Sequence, residues 1–107
     1  MYISYNDYNP DEYHLLDVRE KHEYETYNVG GLNIPLGELP DRLSELKSFK
    51  KQKIAVLCQF GLRSPKACQL LKNEAFTKVR IIYGGIVSWP KHLIEEKIPP
   101  FKHSKRI

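Results

Sequence analysis

Ile54-Ala55-Val56-Leu57-Cys58-Gln59-Phe60-Gly61-Leu62-Arg63-Ser64-Pro65 is the stretch whose reading decides the fold. It opens as a short apolar run, the pattern of a buried strand. It closes on Ser64-Pro65, a hydroxyl suited to an N-cap followed by proline at the first helical position. Cys58 to Arg63 therefore connect a strand end to a helix start. In an α/β sheet, ligands bind there, beyond the carboxyl ends of the strands. Helix N-termini offer unpaired N–H groups and the positive end of a dipole. That setting favours a cysteine thiolate, which is the nucleophilic form. Arg63 adds a fixed positive charge. Gly61 lets the loop bend so that the N–H groups from Gln59 to Ser64 converge on an anion. A lone cysteine after a strand is more commonly a small buried hydrophobe. Such a residue needs neither the glycine, nor the arginine, nor the junction, so its neighbours point to chemistry at Cys58.

Outward from this stretch, apolar runs alternate with helical signals. Ile3 to Tyr5 reads as a short strand, and Asn9-Pro10-Asp11 as a turn. Tyr13 to Val18 reads as a second strand, ending at Asp17-Val18-Arg19. The polar run Lys21 to Tyr27 suits one or two helical turns stopped by Gly30-Gly31. Leu32 to Ile34 is a brief strand before Pro35. Pro40 is expected to open a helix carrying Leu39, Leu43, Leu46 and Phe49 at spacings of three and four. Lys50 to Lys53 link it to the Cys58 strand. The helix from Pro65 turns Ala67, Cys68, Leu70 and Leu71 inward, with Phe76 after its end. Val79 to Tyr83 is a fifth strand. Gly84-Gly85 then leads to a short helical turn around Val87 and Trp89, limited by Pro90. This alternation predicts an α/β fold, with a mostly parallel central sheet of about five strands and helices on both faces.

The 107 residues suit one domain, with a core of about 13–93 and a loose basic tail of about 99–107. Hydrophobic residues make up 41% and charged residues 28%, which excludes neither a core nor a solvated surface. No apolar run approaches the roughly 20 residues of a membrane span. Met1 to Asp7 has neither a basic nor an apolar leader pattern, and two cysteines suit a reducing, cytoplasmic setting. The net charge of +4 sits largely in Lys50, Lys51, Lys53 and Lys102 to Arg106. It reads as a solvated surface that steers small anions weakly, and no nucleic-acid motif accompanies it. His14, His22, His92 and His103 share no metal-ligand spacing with each other or with the cysteines, so no metal site is expected. Cys68 reads as core, with a resolving thiol as the alternative.

Four segments, in order, resemble the single-domain rhodaneses. Cys58-Gln59-Phe60-Gly61-Leu62-Arg63-Ser64 resembles their C-x-x-G-x-R-S loop. Leu15-Leu16-Asp17-Val18-Arg19-Glu20 is similar to their L-L-D-V-R-E, and Asn33-Ile34-Pro35-Leu36 to their N-I-P-L. Gly84-Gly85-Ile86 with Trp89 resembles their G-G-x-x-x-W. Thr26-Tyr27-Asn28-Val29-Gly30-Gly31 departs from the family's G-H-I-P-G-A and lacks its histidine. The resemblance implies a rhodanese-like fold and sulfurtransferase activity without a cofactor. Cys58 would attack the outer sulfur of a small anionic donor such as thiosulfate, polysulfide or a persulfide. The resulting persulfide would pass its sulfur to cyanide, a small thiol or a protein thiol, in two covalent steps. Gln59, Phe60, Gly61, Leu62, Arg63 and Ser64 would form the loop, with Arg63 docking the donor's oxyanion. Asp17 and Arg19 would support the loop, as the matching family positions do. Asp17 as a general base is less suited, since a carboxylate beside Cys58 works against the thiolate.

Two other readings compete. A cysteine phosphatase also sets a thiolate in a ring of N–H groups, but typically places five residues between Cys and Arg. Here four separate Cys58 from Arg63. A non-catalytic binding or sulfur-carrier module is the second alternative, against which Cys58, Gly61 and Arg63 together count.

Overall fold

A computed structural model describes residues 1–90 and 97–101. His92, His103 and the basic run Lys102 to Arg106 lie outside the described residues. Five parallel strands form one sheet in the order β1-β5-β4-β2-β3. They are β1 Tyr2–Ile3, β2 His14–Asp17, β3 Leu32–Asn33, β4 Ile54–Leu57 and β5 Val79–Ile82. The α-helices are α1, Lys21–Thr26, and α2, Ser64–Asn73. The first strand thus lies earlier than Ile3 to Tyr5, and the other strands fall inside the expected runs.

The apolar run of β4 is buried because β4 is the central strand. It pairs with β2 from His14↔Ile54 to Asp17↔Leu57, and with β5 from Ile54↔Val79 to Val56↔Ile81. Alternation along the strand sends Ile54, Val56 and Cys58 to one face and Ala55 and Leu57 to the other. The first face packs under Ala67, Cys68 and Leu71 of α2 and under Leu39, Leu46 and Phe49. The second is covered by Tyr8, Val29, Ile86 and Trp89. Each such fully buried aliphatic side chain contributes about 1.5–3 kcal/mol. From β2 the chain moves to β3 on one side, and from β4 to β5 on the other. The carboxyl ends of β2 and β4 therefore flank the switch point of the sheet, the place where open α/β sheets bind their ligands.

Two local expectations are corrected. Pro40 does not open a helix but lies inside a run of 3-10 turns, Leu36–Phe49. Its apolar residues Leu43, Leu46 and Phe49 recur every three positions, the period that stacks side chains on one face of a 3-10 helix. Arg42 ties the exposed side to Glu38 and Glu45 at 3.0 and 2.7 Å. The segment after Lys97 is not loose as far as Phe101. Ile98 bridges Gly30 and exchanges backbone hydrogen bonds with Val29 and Gly31. Phe101 packs on His14 and Phe49, with ring centroids 4.9 and 5.1 Å apart. No helix among the described residues is long and apolar enough to cross a membrane.

Candidate active site

Cys58 follows the last residue of β4 and is fully buried, while Phe60 and Leu62 beyond it are 63% and 82% exposed. Its Sγ accepts the Gly61 N–H at 3.0 Å. Gly61 reaches that position at φ +91°, a conformation that glycine adopts without strain. The N–H groups of Phe60, Leu62, Arg63 and Ser64 meet no acceptor among the described residues. The loop therefore holds one donor engaged by the Cys58 sulfur and four that are left without an acceptor among the described residues.

Ser64 is not the N-cap. Arg63 holds that position, in helical backbone geometry and without a side-chain cap bond, and Ser64 is the first residue of α2. Its Oγ is buried and has no partner among the described residues. Pro65 keeps its place in the first turn, where its missing N–H costs nothing.

The floor of the site is a buried ion pair. Arg19 meets Asp17 through Nε at 3.1 and 3.2 Å and through Nη2 at 2.9 Å, both side chains being almost fully enclosed. The same guanidinium reaches Gln59 Oε1 and the Glu23 carbonyl at 3.3 Å, and the Tyr27 carbonyl at 2.8 Å. Arg19 thus ties β2, α1 and the Cys58 loop together. Gln59 contributes a side chain to this brace as well as its place in the loop.

Glu23 was not singled out in the sequence. Arg63 Nη1 and Nη2 donate to its two carboxylate oxygens at 2.8 and 3.0 Å. These bonds hold the carboxyl down at about 2, well below the usual carboxylate range. The visible signal was Glu20-x-x-Glu23, a capping box that both side chains complete at the start of α1. Cys68 is packed in the core, and burial pushes its thiol up.

A second loop fixes the first from above. Ile86 N–H donates to the Cys58 carbonyl at 2.8 Å and Val87 N–H to the Gln59 carbonyl at 3.3 Å. Gly85, at φ +71°, leaves no room for a side chain. A Cβ there would lie 2.4 Å from the Gln59 oxygen and 2.7 Å from that of Cys58. Gly85→Ala is expected to cost about 2–4 kcal/mol in urea unfolding, from backbone strain plus overpacking. Gly37→Ala, with nothing within 4 Å of the added carbon, should stay within about 1 kcal/mol. Equal losses at the two glycines would refute the close approach.

These features define a class: a doubly wound α/β domain with a cysteine-centred donor loop at its switch point. The chain matches the Rhodanese-like domain family over residues 5–92 and belongs to that family. It is 34% identical to a rhodanese-related protein of Thermoplasma volcanium, with a TM-score of 0.75, covering 92% of this chain and 94% of that one. It is 38% identical over 76 residues to the sulfur-carrier candidate YrkF of Bacillus subtilis, covering 70% of this chain and 40% of YrkF. It is 34% identical over 94 residues to the adenylyltransferase and sulfurtransferase MOCS3 of Arabidopsis thaliana, covering 74% of this chain and 20% of MOCS3. The chain thus spans well under two thirds of both curated relatives.

Proposed function

We propose that the domain is a sulfurtransferase in which Cys58 carries the sulfur. The observation that supports this most is the Cys58 Sγ itself, set at the end of the central strand with the Gly61 N–H 3.0 Å away. In the first step the Cys58 thiolate attacks the sulfane sulfur of thiosulfate, polysulfide or a persulfide. A sulfur–sulfur bond forms at Cys58, the donor's own breaks, and its electron pair leaves with sulfite or a thiolate. In the second step cyanide, a small thiol or a protein thiol attacks the outer sulfur and restores the Cys58 thiolate. The free N–H groups of Phe60, Leu62, Arg63 and Ser64 stabilise charge on that sulfur. Both steps balance without a cofactor. Two free thiols suit a reducing, cytoplasmic location.

Intact mass spectrometry tests the reading. Incubation with thiosulfate or polysulfide should add the mass of one sulfur atom, and cyanide should remove it as thiocyanate over repeated turnovers. An aryl phosphate should not turn over, because a loop with four residues between Cys58 and Arg63 is short for a phosphoryl group. A sulfur that loads but never passes on would mark a carrier module instead. The name of YrkF makes that the second reading. No uptake from any donor would overturn both.

A further inference from the structure

The loop arginine is the residue expected to dock an anionic donor, yet two of its guanidinium nitrogens already bond both oxygens of Glu23, which pairs its charge. Glu23 is held from its own side. Its Oε1 accepts the Glu20 N–H at 2.8 Å, and its carbonyl accepts Arg19 Nη1 at 3.3 Å. Its depressed titration keeps the carboxylate charged at neutral and mildly acid pH. Arg19 is neutralised by Asp17, and Glu20 adds a further negative charge within range of Arg63. Two guanidiniums, of Arg19 and Arg63, thus face three carboxylates, of Asp17, Glu20 and Glu23. Such a wall offers a dianion little net attraction.

The other side of the loop is apolar. Tyr2, Phe60, Gly61, Tyr83 and Gly84 line a shallow groove of about 510 Å³. Gly61 belongs to both features: it lines the groove, and its N–H bonds the Cys58 sulfur. Gly61 thus connects the groove to the reacting atom through one backbone N–H, while the Cys58 sulfur itself is enclosed behind the loop.

We propose that Glu23 determines donor specificity: by engaging Arg63 it turns the site from dianionic donors toward sulfane donors with one charge or none, whose apolar group occupies the groove. This rests on the sulfur-transfer reading above. With an aryl thiosulfonate, the Cys58 thiolate attacks the terminal sulfur and a new sulfur–sulfur bond forms. The bond to the sulfonyl group breaks, and arylsulfinate leaves with the electron pair. The persulfide keeps the charge that the terminal sulfur brought, and no oxidant or reductant enters.

Benzenethiosulfonate and thiosulfate are the probes, with cyanide as acceptor. In the wild type, benzenethiosulfonate should exceed thiosulfate in kcat/KM by about tenfold or more. Glu23→Gln keeps an oxygen for the Glu20 N–H while freeing the Arg63 charge. It should raise kcat/KM for thiosulfate about tenfold and change that for benzenethiosulfonate less than about threefold. A wild type that prefers thiosulfate overturns the proposal without recourse to a variant. So does a folded Glu23→Gln protein in which the ratio is unchanged while sulfur still loads on Cys58; Glu23 would then only hold the shape of Arg63. If neither donor loads sulfur on the wild type, the sulfur-transfer reading falls, and the inference with it.

Discussion

Cys58→Ser is expected to abolish sulfur uptake and lower turnover on the order of a thousandfold or more. A serine hydroxyl is a far weaker nucleophile than a thiolate, and it cannot carry a sulfane sulfur through a persulfide. The fold should survive. Oxygen replaces sulfur at a site where the Gly61 N–H, 3.0 Å from Sγ, still finds an acceptor. The measurement is a cyanide-coupled assay beside the mass spectrum, with a thermal melt as the folding control. A folded Cys58→Ser protein that still gained a sulfur would move the chemistry to another thiol. Cys68, buried in the core, would then be the residue to examine.

Arg19→Met should cost about 3–5 kcal/mol in chemical denaturation, because it leaves the Asp17 carboxylate enclosed without its partner. That is a large share of the roughly 5–15 kcal/mol by which a domain of this size is stable. The variant also releases Gln59 and the carbonyls of Glu23 and Tyr27, so the loop should lose activity in protein that remains folded. Replacing Asp17 and Arg19 together by leucine and methionine should recover part of the stability without the activity. A single Arg19→Met loss below about 1 kcal/mol would mean that the pair does not brace the site.

What the sequence could show divides along physical lines. Local patterns were legible. The run Ile54 to Leu57 is apolar throughout because a central parallel strand is buried on both faces. The spacing of Cys58, Gly61 and Arg63 marks a bent loop between strand and helix. Asp17 and Arg19, two residues apart at a strand end, were legible as supports of the loop, but not as partners of each other. Pairings across the chain were not. Arg63 and Glu23 lie 40 residues apart, and no periodicity links them. Ser64-Pro65 resembled a cap and first turn, but the helix takes Ser64 into its own first turn. Pro40 suggested a helix start, whereas the 3-10 run already begins at Leu36. Phe101 looked like part of a tail because nothing near it in sequence reveals His14 and Phe49, the rings it packs on.

The burial of Cys58 makes the site a sieve. Its sulfur is fully enclosed while Phe60 and Leu62 of the same loop are exposed, so a reagent must pass the rim this loop forms before its reactivity counts. A small alkylating agent should label Cys58 at a useful rate while a bulky maleimide leaves it untouched. Hydrogen peroxide, being small, passes the same rim. Protection from irreversible oxidation therefore cannot come from the mesh and must come from occupancy. A Cys58 loaded with sulfur would meet the oxidant at the outer atom, which a thiol can strip away, and the cysteine beneath would be recovered intact.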